Sequence, residues 1–311
     1  MTTDKITTDG LSTRLITTRK PRRRDAAEQA PYRQQSRSRL SSIVRHTLMV
    51  LVVIVCLYPI LWMLVSALRP EGQIFSDPSL LLKTFEWQNF VKGWNALGNP
   101  FGTYLLNSLV VVLGSIVGNL ISCSLAAYAF ARLRFRFQGM AFAYMLVTLM
   151  LPIHVLIVPQ YILWSQVGLT DSFWPLIVPK FLATDAFFIF LMVQFIRGIP
   201  RELDEAARID GAGHGRIFFQ IMLPLMVPAL ATTTIFTFIW TWNDFFTQLI
   251  FLTSPEHYTV PIALRSFIDA QSSSSFGAMF AMSVVSVIPL VLIFAFGQKF
   301  LIKGIATTGL K

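Results

Sequence analysis

The residues most suited to specific recognition lie between Ile199 and Gly213. Pro200 stands near a first helical position, Glu202, Asp204 and Glu205 fill the opening turn, and Gly211 closes the run, which together mark a short helix. The acids suit the positive end of its dipole. Leu203, Ala206 and Ala207 share one face at helical spacing, making a small apolar knob ringed by charge. Asp210 and Gly211 end the helix, a second helix is expected over 216–222, and Ile221, Leu223 and Pro224 lead into the next apolar block. The residues alone leave two readings open. The segment is either an amphipathic helix on a membrane surface or an element that docks into a groove of a soluble partner.

A second set of polar residues stands inside apolar surroundings: Lys180, Asp185, Asn243 and Asp244, with His154 near them. A charge at the centre of a bilayer costs roughly 2.5–3.5 kcal/mol on insertion scales, so each needs a partner, a water-filled path or an escape to the interface. Asp185, Asn243 and Asp244 are candidates for a polar translocation path, while Lys180 is expected to snorkel to water. The glycines from Gly211 to Gly215 lack the Lys-Ser/Thr pair of a phosphate-binding loop and follow no strand, so nucleotide chemistry is expected elsewhere. His, Cys and carboxylates never gather at catalytic or metal-ligand spacing. Cys56 and Cys123 sit in apolar blocks and read as small buried hydrophobes.

The elements that carry these residues read as membrane spans. Hydrophobic residues make up 54% of the chain and charged ones 14%, against roughly 25% charged in a soluble domain. Apolar blocks at 47–68, 104–131, 140–158, 175–196, 225–252 and 277–297 give an all-α integral membrane bundle of six helices. Pro175 and Pro179 are expected to bend or break the fourth. Residues 1–45 are basic and aperiodic and read as a disordered tail, followed by a signal anchor and the membrane domain at 46–311. Arg and Lys recur in alternate loops, which places both termini in the cytoplasm. The formal charge of +10 therefore points to anionic lipid at the bilayer surface, not nucleic acid. Trp87, Trp94, Trp164, Trp174, Trp240 and Trp242 are expected mostly near the outer ends of spans.

Glu205-Ala206-Ala207, three residues, Gly211, nine residues, then Ile221-Met222-Leu223-Pro224 resembles the EAA motif of binding-protein-dependent ABC importer permeases. Further stretches resemble the second permease subunit of the maltose-type carbohydrate group: Asn107-Ser108-Leu109, Ala126 to Arg132, Gly168 to Ser172, Trp242 to Phe245 and Gln298 to Gly304. The resemblance implies a type I importer fold in which the motif, in a coupling loop over 199–222, forms a cytoplasmic coupling helix seated in a cleft of an ATP-binding subunit. It implies as partners a related permease, two ATP-binding subunits that hold ATP and Mg, and an extracytoplasmic solute-binding protein. The solute would be a carbohydrate or similar polyol. The last five residues resemble a tail that reaches between the ATPase subunits. The rival is an ion-gradient-driven secondary transporter, for which Asp185 and Asp244 would be the acting carboxylates.

Overall fold

The computed structural model describes residues 39–269 and 275–308. Every regular element among them is helical. The chain divides into two units, Met1–Cys56 and Leu57–Lys311. In the first, the described residues belong to α1 (Arg39–Ser66), whose side chains from Ile43 to Cys56 are all exposed. An apolar helix exposed on every side is composed for contact with lipid. It begins at Arg39, inside the segment expected to be a tail; residues 1–38 and the last three, on which part of the tail readings rest, lie outside the described residues.

The second unit continues with α2 (Glu71–Ile74), α3 (Gln88–Asn95), α4 (Phe101–Arg132), α5 (Gln138–Thr148), α6 (Ile153–Gln166), α7 (Trp174–Phe181) and α8 (Ala186–Arg197). Then come α9 (Glu202–Ile209), α10 (His214–Ile217), a π-helical turn at Phe218–Met222, α11 (Leu223–Leu225), α12 (Val227–Asn243), α13 (Phe246–Phe251), α14 (Val260–Asp269) and α15 (Phe276–Thr308). At its centre is α4, which packs against α7, α8 and α12. Its buried face carries Ser115, Gly118, Asn119, Ser122, Cys123 and Ala127, small or hydrogen-bonding groups of the kind that let membrane helices approach closely. A Cβ at Gly118 would lie 2.8 Å from the Phe181 ring and 2.9 Å from Lys180 Cβ, so α7 can seat where it does only against glycine.

Among the described residues four helical segments are long and apolar enough to cross a membrane: Ser42–Ser66, Phe101–Arg132, Trp174–Arg197 and Phe276–Lys299. The pair His214–Leu225 and Val227–Asn243, bent by 73°, makes a fifth if taken as one broken span. The expectation of a single helix over 140–158 is corrected. There α5 ends at Thr148 and α6 starts at Ile153, with Pro152 between them. Proline has no N–H to continue the ladder and drives the preceding residue out of helical geometry. The expected 225–252 helix is likewise interrupted at Asp244; the fourth block, expected to bend or break at Pro175 and Pro179, carries both prolines within α7 and breaks beyond them at 182–185, where Ala183 takes a left-handed φ of 55°.

Two tryptophans behave differently from one another. Trp240 is half exposed and meets Phe187, Phe188 and Phe236. Trp242 is buried, and its Nε1–H donates to the Ser286 carbonyl at 3.2 Å, so it joins α12 to α15 and is no interfacial anchor. Cys123 is buried as expected, whereas Cys56 is exposed on α1.

At the end of the bundle away from α9, Asp171 ties two loops together. Its carboxylate accepts the backbone N–H groups of Thr253 and Ser254 at 2.8 and 2.9 Å and the Ser254 hydroxyl, with His257 Nδ1 at 3.4 Å. Burial by itself would raise this carboxyl, but the bonds from Ser254, Thr253 and His257 outweigh it and hold the group well below the usual carboxylate range.

Candidate functional site

The helix expected from Pro200 to Gly211 is present as α9, and its ending explains the glycine. Gly211 N–H donates to the Arg208 carbonyl at 3.0 Å and Ala212 N–H to the Ala207 carbonyl at 2.9 Å, the paired bonds of a Schellman cap. This cap needs a left-handed residue, and Gly211 supplies it at φ 78°. No atom lies within 4 Å of where a Cβ would be, so the requirement is conformational and not a matter of space.

The knob is arranged differently from the expectation. Leu203, Glu205, Ala206, Ile209, Asp210 and Gly211 are exposed, Ile209 by 87%. Ala207 instead turns inward beside Asp204. The cause is Arg132 at the end of α4: its Nε lies 3.1 Å from Asp204 Oδ2, with the two side chains only 3% and 9% exposed. That ion pair fixes which face of α9 is buried. Further along, Ile221 and Leu223 are half-buried against the core around Tyr128, Ile196 and Met222, while Pro224 is exposed. All three lie in the π-helical turn or α11, outside α9 itself. Neither Arg132 nor Asp204 was expected as a site residue; the only signal was an acid immediately before the Glu-Ala-Ala run.

The second group of residues does come together, but as a clasp. Lys180 Nζ lies 2.9 and 3.1 Å from the two Asp185 oxygens, so it does not snorkel to water. Asn119 Nδ2 donates to Asp185 Oδ2 at 2.7 Å and to Thr237 Oγ1 at 3.1 Å, and Ser122 Oγ donates to the Lys180 carbonyl at 2.6 Å. One buried asparagine on α4 thus joins the α7–α8 break to α12. The break itself brings the lysine and the carboxylate to the same point. Asn243 and Asp244 do not join this cluster: Asn243 donates back to the Ile239 carbonyl, and Asp244 Oδ1 accepts the Thr247 N–H that opens α13. Both still line the same open cavity of about 670 Å3 as Lys180 and Asp185, together with His154 and Trp240.

The family profile described as the binding-protein-dependent transport system inner membrane component matches residues 111–307. The chain belongs to that family. It is the permease of a binding-protein-dependent ABC importer, a multi-pass inner-membrane protein and not itself a catalyst. It is similar to the diacetylchitobiose uptake system permease protein NgcG of Streptomyces coelicolor, 30% identical over 265 residues that cover 85% of this chain and 87% of the relative. It is also similar to the sn-glycerol-3-phosphate transport system permease protein UgpE of Yersinia pestis, 33% identical over 266 residues, 84% and 94% of the two chains. Among solved structures, a bacterial ABC transporter involved in import of the acidic polysaccharide alginate shares the permease fold, with a TM-score of 0.75 at 24% identity over 85% of this chain and 97% of that one. Membership in this family decides for an ATP-driven importer over an ion-driven carrier.

Proposed function

We propose that this permease is the second of two related permease subunits in an importer for a carbohydrate or similar polyol, and that α9 is its coupling helix. The single observation that carries the coupling role is the exposed set Leu203, Glu205, Ala206, Ile209 and Asp210 on a capped helix anchored through Asp204 and Ala207. An apolar and acidic knob held on a rigid base suits insertion into a cleft of a soluble subunit. On this reading two ATP-binding subunits carry the nucleotide and Mg, an extracytoplasmic binding protein delivers the solute, and both termini are cytoplasmic. The α5–α6 pair, broken at Pro152, completes the six crossings together with the bent span that ends in α12.

Nucleotide-driven closure of the ATPase subunits moves α9, and the bundle opens its path to the other side. The cavity beside Trp240, Asn243 and Asp244 offers the solute an aromatic face and hydrogen-bonding groups, a combination suited to sugar hydroxyls. The carbohydrate class is favoured by likeness to a permease named for diacetylchitobiose, and glycerol 3-phosphate uptake by a relative keeps small polyol esters in range. A cysteine at Ala206 should cross-link to the ATPase subunit in native membranes and give one product with that subunit alone. Absence of any such product, with Ile209→Cys failing equally, would remove the coupling assignment.

A further inference from the structure

Arg132 is placed to connect the docking helix to the membrane bundle. It lies at the last turn of α4, and besides Asp204 it donates through Nη2 to the Ile196 carbonyl at 3.0 Å and the Ile199 carbonyl at 2.6 Å. The first carbonyl belongs to the last turn of α8 and the second to the linker that leads into α9. One guanidinium therefore joins three elements: α4, the end of α8 and the first turn of α9. Arginine suits this task because its planar fork presents several donors in fixed directions. Four residues earlier, on the same face of α4, the Tyr128 hydroxyl donates to the His214 carbonyl at 3.4 Å, and its ring meets Phe218 at 5.3 Å. The two side chains thus hold the coupling loop on both sides of the Gly211 turn.

Farther back along α4, a different face of the helix meets the Asp185 cluster. Asn119 stands 13 residues before Arg132 on α4, about 20 Å at the helical rise, and it holds Asp185 and Thr237. The remaining oxygen of Asp204 is buried with no protein partner among the described residues, so Arg132 is that carboxylate's one charged contact there. Of the charged groups near the pair, Arg134, Arg201, Arg208 and Glu205 line the open cavity beside it, and none of them replaces the contact.

We infer that Arg132 is a positioning residue for energy coupling: through Asp204 it makes α9, α8 and α4 move as one body, so that displacement of the coupling helix reaches Asn119 and the cavity. This rests on the reading of α9 as the ATPase-docking helix. The ion pair does not itself touch the ATPase; it fixes the helix that does.

The test uses the complete importer, with its ATPase subunits and binding protein, reconstituted in lipid nanodiscs. A cysteine replaces Thr247, which lines the cavity, in a background carrying Cys56→Ser and Cys123→Ala. Labelling by a polar maleimide is measured with and without ATP and vanadate, beside the ATPase rate and the amount of ATPase subunit retained. With Arg132 present, nucleotide should change the labelling rate by about fivefold or more, the lower end of typical coupling between sites. In Arg132→Gln the ATPase subunit should remain bound and hydrolysis persist within about twofold, while the labelling response falls to less than about twofold. Arg132→Lys, which keeps the charge and loses the fork, should give an intermediate response.

If Arg132→Gln does not assemble, the apolar pair Arg132→Met with Asp204→Leu removes the stranded charge and should assemble yet still respond weakly. A full labelling response in either the glutamine variant or the apolar pair would overturn the inference. So would loss of the bound ATPase in the apolar pair as well as in the glutamine variant, because that would make Arg132 necessary for docking itself. Failure of the underlying reading looks different: Glu205→Lys would then leave ATPase binding intact whatever Arg132 does.

Discussion

Removing the lysine from the membrane-centre clasp should destabilise the permease through the carboxylate it leaves behind. In Lys180→Met, Asp185 keeps Asn119 at 2.7 Å but loses both contacts to the ammonium. Breaking one side of a fully buried pair costs ~3–5 kcal/mol. Here the side chains are 28% and 25% exposed and one hydrogen bond survives, so a loss of about 2 kcal/mol is the better figure. At about 2–4 °C per kcal/mol for a domain of this size, the melting temperature should fall by roughly 4–8 °C. Cys123 offers the readout, since it is buried beside Asp185 and reacts with a fluorogenic maleimide only on unfolding; Cys56→Ser removes the exposed thiol. The double change Lys180→Met with Asp185→Leu strands no charge and should recover most of the loss, a coupling of about 1 kcal/mol or more. A single variant that melts within about 1 °C of its parent would refute the reasoning, for the lysine would then be a solvated surface group.

Three further outcomes follow from the same geometry. Gly211→Val should insert normally but lose most transport, because a β-branched residue at a φ of 78° opposes the Schellman cap by more than the ~1–2 kcal/mol of an ordinary side chain; Gly211→Asn should retain far more, and equal loss in both would show that shape and not backbone conformation matters. Gly118→Val should lower thermal stability by roughly 2–3 kcal/mol through collision with Lys180 and Phe181, and unchanged melting would mean that α7 does not seat against α4. Asp171 is held below the usual carboxylate range in the folded chain, so its contribution is present above the unfolded value of about 4 and disappears as pH falls further. Asp171→Asn should therefore cost roughly 1–2 kcal/mol at pH 7 and flatten the acid limb of the stability profile; an unchanged limb would exclude the loop clasp.

How much of this was legible depended on whether the signal was local. The α9 helix and its Gly211 ending follow from start and stop residues within a dozen positions, and both are present. The inward turn of Ala207 was not legible, because its cause is Arg132 on a helix far back in the chain. The pairing of Lys180 is not legible for the same reason: only the break at Ala183 brings it onto Asp185, and nothing in an alanine announces a left-handed backbone. By contrast, the division of the 140–158 block is legible at Pro152, although hydropathy is continuous on both sides of it. Asn243 and Asp244 line the cavity with Asp185, as a polar path requires, yet each spends a hydrogen bond on an adjoining helix end and neither joins the Asp185 cluster. Short-range rules see polar residues but not the direction in which a helix turns them.

The central claim is that the exposed face of α9 binds the ATPase subunit, and affinity purification from native membrane tests it most directly. The account predicts that the unaltered permease brings its ATPase with it, and that Glu205→Lys, on the exposed face, releases that subunit while the permease itself stays folded by the Cys123 assay. ATPase retained undiminished by the Glu205→Lys permease, or never recovered with the unaltered one, would contradict it.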